Sequence, residues 1–275
     1  MKDLSAKITP IIEASGVVKQ FGSVTALSGL DLKIMPGEIY GLLGPNGSGK
    51  STMIKIIDGL LEPTAGSVRV MGYDPSRSPA EVKSAIGYVA ESSMLYESLT
   101  PRDFFEFVAS VRKIDQKKAN ERVTTLSNAL GLSQYYDSPI ATLSMGTKQK
   151  VSIIAALIHE PPLLLLDEPL NGLDAKSSRI LKDLISFHTE KNNGAVLFST
   201  HIMEVAEHIC NRIGIIYQGK IVAEGSLNEL RSKAGTGRVG EETATLEEVF
   251  LKLTHEEQEV TEIIKTLREA FFVGK

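Results

Sequence analysis

Gly44-Pro45-Asn46-Gly47-Ser48-Gly49-Lys50-Ser51 matches the pattern G-x-x-x-x-G-K-S/T. An apolar run at 39–43 precedes it, and an apolar-periodic run at 51–60 follows it. Strand, glycine-rich turn and helix in that order gather backbone N–H groups and the positive end of a helix dipole around one point. Phosphate oxygens suit such a point. Lys50 is then placed to reach β- and γ-phosphates, and the Ser51 hydroxyl to meet Mg²⁺. The whole segment from Gly44 through Thr52 reads as a nucleoside-triphosphate site.

A second constellation lies downstream. The run at 163–166 is four leucines, the signature of a strand buried on both faces, and it ends in Asp167-Glu168-Pro169. An acid after such a strand binds Mg²⁺ directly or through water in phosphate-loop NTPases, which suits Asp167. Alternation along a strand would send Asp167 and Glu168 to opposite faces. Pro169 ends the strand, so Glu168 can turn toward the γ-phosphate and orient or deprotonate the attacking water. Without the loop upstream, these would read as two solvated acids.

Around these two landmarks the chain alternates strands and helices. Residues 11–43 read as short strands punctuated by Gly22 and Gly29, with a type II turn at Met35-Pro36-Gly37-Glu38. Short strands follow at 68–70 and 86–89. Thr100-Pro101-Arg102-Asp103 then supplies an N-cap, a first-turn proline and an early acid in front of Phe104, Phe107, Val108 and Val111. A second helix at 116–130 stops at Gly131, so this helical stretch reads as an insertion. The α/β texture returns with a helix at 147–159, a helix at 176–191, a strand at 195–199 and a hairpin of 213–217 with 220–224 across Gln218-Gly219. A mainly parallel sheet follows from the alternation. Residues 234–242 read as a linker. Beyond it, Leu246, Val249, Phe250 and Leu253, then Ile263, Ile264 and Leu267, fall at helical spacing. Both stripes are expected to pack on the chain's own core, the alternative being a dimer or regulatory contact.

Composition narrows the classes. With 275 residues the chain can bury a full core, and its net charge of −4 gives no argument for nucleic-acid binding. No apolar run approaches the ~18 residues that span a bilayer. Residues 1–12 carry no signal-peptide stretch, and the single cysteine, Cys210, excludes an intrachain disulfide. A cytosolic chain is expected, with any membrane connection made through a partner.

Three further segments carry a resemblance. Leu143-Ser144-Met145-Gly146-Thr147-Lys148-Gln149, Asn171-Gly172-Leu173-Asp174 and Ser199-Thr200-His201, in this order around Asp167-Glu168, resemble the nucleotide-binding domain of ABC transporters over residues 11–230. The resemblance implies an α/β phosphate-loop NTPase of the ABC type, with a mainly parallel core sheet, an N-terminal antiparallel β-subdomain and an inserted α-helical subdomain. It divides the chain into an ATPase domain at 8–230, with the insertion near 92–145, and a C-terminal helical extension at 231–275. It implies an ATPase that uses ATP and Mg²⁺ in a head-to-tail dimer with a second ATPase subunit, either a copy or a close homologue. Ser144 and Gly146 would face the phosphate loop of the other subunit. His201 would contact the γ-phosphate, Phe21 would stack on adenine, and Lys50, Glu168 and His201 would form the catalytic set. Mg²⁺ would fall to Ser51, Asp167 and Glu91.

The chain departs from the family pattern where Met145 replaces glycine, Thr147 replaces glutamine and Glu91 replaces glutamine. A carboxylate at 91 keeps an oxygen for metal or water and loses the amide donor. Gly87-Tyr88-Val89-Ala90-Glu91, Leu99-Thr100-Pro101-Arg102-Asp103 and the segment 245–254 resemble the drug, antibiotic and ion exporter branch. Polytopic membrane subunits are the implied partners, and the chain would sit on the inner face of the cell membrane through them. An importer subunit or a soluble ABC-type ATPase is the alternative, and cargo is not encoded here.

Overall fold

The computed structural model describes residues 9–235 and 244–272. Its centre is a six-stranded sheet in the order β5-β6-β7-β3-β8-β9, formed by β3 (Ile39–Leu43), β5 (Ile86–Val89), β6 (Leu163–Asp167), β7 (Ala195–Thr200), β8 (Arg212–Tyr217) and β9 (Lys220–Gly225). All pairings are parallel except β8 with β9, the expected hairpin. Every residue of β3, β6 and β7 is buried, as parallel strands covered on both faces require. Along β6, Leu163 and Leu165 enter one core while Leu164 and Leu166 enter another. Each fully buried leucine contributes about 1.5–3 kcal/mol, so this run alone anchors the sheet to both layers.

One core lies under a separate antiparallel sheet, β2-β1-β4, built from β1 (Ile12–Phe21), β2 (Val24–Ile34) and β4 (Ala65–Val70). Met53, Ile54, Ile56 and Ile57 of helix α1 (Lys50–Ile57) fill the space between the two sheets. The strands at 11–43 are longer than the glycine spacing suggests. Gly29 lies inside β2 at a left-handed φ of 82°, and the ladder shifts register past it instead of ending. Gly22, by contrast, does sit in the turn between the strands.

The other core holds the helical insertion. After α2 (Pro79–Ala85), Thr100 caps α3 (Pro101–Val111) in a full capping box with Asp103, and α4 (Gln116–Leu130) ends on the left-handed Gly131. These helices pack Phe104, Phe105, Ala119 and Val123 against α5 (Met145–Leu157) and the back of the sheet. Helix α5 starts two residues earlier than the apolar period indicates. Its cap is Ser144, whose hydroxyl accepts the Thr147 amide proton.

Helix α6 (Ala175–Asn192) leads to β7, and α7 (Met203–Ile209) and α8 (Leu227–Lys233) complete the domain. The C-terminal expectation holds for one stripe and fails for the other. Leu246, Val249 and Phe250 of α9 (Leu246–Leu253) are buried with Leu43, Ile213 and Ile215. Ile263, Ile264 and Leu267 of α10 (Glu257–Phe272) are about half exposed, so that stripe is not part of the core. Most of the expected 234–242 linker lies outside the described residues. Among the described residues, no helix is long and apolar enough to cross a membrane.

Candidate functional site

The phosphate loop leaves the carboxyl end of β3, in the middle of the sheet, where open α/β sheets bind their ligands. Its first glycine has no room for a side chain. A β-carbon on Gly44 would sit 2.2 Å from the Ile216 carbonyl oxygen and 2.8 Å from Ser48 Oγ. Gly47 and Gly49 take left-handed φ values of 80° and 112°, which turn the backbone around the loop. Ser48 is buried, and its hydroxyl has no protein partner. That hydroxyl packs beside Gly44, in the interior of the loop itself.

Lys50 is buried, and its ammonium donates to the carbonyls of Gly44 (2.8 Å) and Pro45 (3.1 Å). Burial lowers its pKa below the ordinary lysine value, while Glu168, Asp167 and Glu91 pull it back up. Glu168 Oε1 lies 4.0 Å from that ammonium. A pocket of about 230 Å³ opens here, walled by Ala26, Asn46, Lys50, Ser51, Glu91 and Glu168 among others.

The two acids at the end of β6 are held by one tripeptide, Ser199-Thr200-His201, at and just past the end of β7. Ser199 Oγ donates to Asp167 Oδ1 at 2.5 Å, and Ser51 Oγ reaches the same oxygen at 3.2 Å. Thr200 Oγ1 donates to Glu168 Oε2 at 3.2 Å. His201 Nδ1 lies 2.9 Å from Glu168 Oε1. Glu168 itself takes a left-handed φ of 49°, rare for a residue with a side chain. That turn, at the residue before Pro169, brings both carboxylates to one side of the sheet edge. The sequence points to Pro169 for this turn; the structure adds the hydroxyls of Ser199 and Thr200.

The donor set fits Mg²⁺. Ser51 and Asp167 place one hydroxyl and one carboxylate side by side, and among the described residues no cluster of three or more His, Cys, Asp or Glu forms a closed cage. Mg²⁺ is held in this way by one or two protein oxygens together with phosphate and water. Glu91 shares the pocket wall with Lys50 and Glu168.

The remaining site candidates stand apart. Phe21 ends β1 with its ring 46% exposed and the Lys19 ammonium 5.1 Å above one face. It does not line the pocket. Ser144 and Gly146 do not line that pocket. Ser144 Oγ pairs with Thr147 Oγ1 at 2.8 Å, so Thr147 braces the cap. A β-carbon on Gly146 would meet the Gly172 carbonyl at 2.1 Å. That contact docks the start of α5 on the loop after Glu168, and Gln149 Nε2 donating to the Pro169 carbonyl (3.1 Å) and the Lys150–Asp174 ion pair (2.8 Å) reinforce it.

The profile of the family described as ABC transporter matches residues 27–171, more than half of the chain. The chain belongs to the ABC transporter family. Among curated relatives, the Escherichia coli probable multidrug ABC transporter ATP-binding protein YbhF is 35% identical over 90% of this chain, which spans 42% of that protein. The uncharacterized ABC transporter ATP-binding protein YdbJ of Bacillus subtilis is 38% identical over 79% of this chain and 70% of its own. The daunorubicin/doxorubicin resistance ATP-binding protein DrrA of Streptomyces peucetius is 34% identical over 85% of this chain and 70% of its own.

Solved structures agree on the fold. An ATP-binding subunit of an ABC transporter superposes with a TM-score of 0.82 at 32% identity, covering 89% of this chain and 99% of that one. The ATP-binding cassette MJ0796, captured as a post-hydrolysis dimer with ADP and Pi, superposes at 0.70 with 27% identity, covering 78% and 98%. This ABC chain is thus an ATP-binding cassette homologous to multidrug and antibiotic-resistance ATP-binding proteins.

Proposed function

We propose that this chain binds ATP with Mg²⁺ at residues 44–52 and hydrolyses it in a composite site completed by a second ATPase subunit. The observation that carries the proposal is the placing of Glu168. Its carboxylate is fixed by Thr200 and His201 at the pocket wall, within 4.0 Å of Lys50.

Lys50 exchanges the Gly44 and Pro45 carbonyls for phosphate oxygens and carries positive charge to them. The loop amides, that of Ser48 included, orient the phosphates, and Thr52 lines the pocket. Ser51 and Asp167 would hold Mg²⁺, and Glu91, on the same pocket wall, would offer it a further carboxylate oxygen. When bound, Mg²⁺ neutralises charge developing on the transferring phosphoryl group. Glu168 orients the attacking water and accepts its proton, and His201 keeps the carboxylate turned toward the water. Phe21 offers its open face to adenine. Ser144 and Gly146, at the N-terminus of α5, face the γ-phosphate bound by the second subunit.

We further read 8–230 as the ATPase domain, with the insertion near 92–145, and 231–275 as an extension whose α9 packs on Leu43, Ile213 and Ile215 of the central sheet. Polytopic membrane subunits are the proposed partners, and export the proposed direction, supported by the likeness to YbhF and DrrA. The chain would then be cytoplasmic and peripheral on the membrane. The segment after Glu91 supports this reading. Met94, Tyr96, Phe107 and Val111 are large exposed apolar side chains, 44–89% exposed, on that segment and on α3. Ser93 donates to Gln149 (3.2 Å) and Lys148 to Glu97 (2.7 Å), so movement of this segment is passed to α5.

Replacement of Glu168 by Gln tests the chemical assignment. It should reduce ATP turnover by about 10²–10⁴-fold and leave ATP binding in place. Turnover at the wild-type rate would remove Glu168 from this role. Recovery of the chain from membranes with a polytopic partner tests the transport reading against a free ATPase.

A further inference from the structure

We propose that Ser199 is a positioning residue that sets the metal-binding carboxylate of Asp167 and the backbone of Glu168 with a single hydroxyl. The inference rests on the site reading above and assigns a residue that the reading does not use.

Ser199 is fully buried in β7, directly across the parallel ladder from Asp167. Its hydroxyl donates to Asp167 Oδ1 at 2.5 Å, a short charge-assisted bond. The same oxygen atom of Ser199 accepts the Glu168 amide proton at 3.2 Å, and the Ser199 carbonyl accepts it as well at 3.1 Å. One side chain therefore bridges the two acids. On Asp167, Ser199 and Ser51 both occupy Oδ1, and among the described residues no protein donor meets Oδ2. The carboxylate is thereby held in one orientation with its second oxygen left for the ion or its water.

On Glu168, the bond to the amide secures the residue at its left-handed φ of 49°. That conformation is the one from which the Glu168 carboxylate reaches Thr200 and His201. Loss of the Ser199 hydroxyl would free the Asp167 carboxylate to rotate and weaken the hold on the turn, while the phosphate loop stays as it is. Outer partners of this kind typically govern metal affinity by about 10–100-fold.

Ser199→Thr and Ser199→Val form the decisive pair, because the two share a shape and differ in the hydroxyl. ADP binding is titrated calorimetrically with Mg²⁺ and with EDTA, and turnover is measured across Mg²⁺ concentrations. Relative to the threonine variant, the valine variant should lose about tenfold of the Mg²⁺-dependent gain in ADP affinity. Its ADP affinity in EDTA should be unchanged, its half-saturating Mg²⁺ for turnover raised, and its kcat lowered. Ser199→Ala against wild type supplies the same contrast without the extra methyl group.

Equal Mg²⁺ dependence in the hydroxyl-bearing and hydroxyl-free chains, with the wild-type gain intact, would overturn the assignment of Ser199 alone. Equal loss of ADP affinity with and without Mg²⁺ would overturn it too, by showing a packing role. No Mg²⁺-dependent gain in the wild type would instead bring down the site reading beneath it.

Discussion

Gly44 shows what single residues enforce in this site. A methyl group there would meet the Ile216 carbonyl at 2.2 Å, closer than any real contact, and would push the first turn of the phosphate loop off β8. Gly44→Ala should cost about 1–3 kcal/mol of stability and weaken ATP binding, read by thermal unfolding and nucleotide titration. An unchanged melting temperature would contradict the packing. Asp58 gives a residue-scale prediction of the opposite sign. It is buried near the end of α1, and burial pushes its pKa up to about 6, against the lowering influence of Lys83 and Arg112. A carboxyl raised in the folded state favours its neutral form, so stability falls as pH climbs from about 4 through 6. Asp58→Asn removes that charge. It should therefore stabilise the chain at pH 7, by up to about 3 kcal/mol, with the gain shrinking toward zero near pH 4. Paired pH–stability curves of the two chains check this.

Elements differ in how openly the sequence declares them. The leucines of β6 and the glycine-rich loop after β3 carry their own physics: a two-faced strand needs apolar residues throughout, and a phosphate loop needs glycines. The capping box of α3 is equally local. Helices α7 and α8, of seven residues each, have too few positions for a clear period, and tertiary contacts define them. The turn at Glu168 was illegible for a different reason. It depends on two hydroxyls 31 and 32 residues away in the chain, brought alongside only by the β6–β7 ladder. The two C-terminal stripes look alike in sequence, yet one is buried and the other exposed, because only α9 reaches β8 and the Leu43 cluster. Phe250→Ala should accordingly destabilise by about 3–5 kcal/mol, as for other buried phenylalanines. Leu267→Ser should stay within about 0.5 kcal/mol. Denaturant unfolding of both variants tests the contrast, and similar losses would place α10 in the core.

At the scale of the whole molecule, the residues proposed for one composite site fall in two separate places on this chain. The phosphate loop, Asp167, Glu168 and His201 meet at the carboxyl edge of the sheet, while Ser144 and Gly146 are docked on the loop after Glu168 and make no contact with that pocket. Two chains arranged head to tail would each lend the other the missing part. ATP would then act as the link that closes the pair, and hydrolysis at Glu168 would release it. The most direct measurement is the oligomeric state of Glu168→Gln with ATP and Mg²⁺, by light scattering. The account predicts a stable dimer that retains ATP, with turnover abolished, while the wild type with ADP is monomeric. A Glu168→Gln chain that stays monomeric at saturating ATP, or that turns ATP over at the wild-type rate, would contradict it.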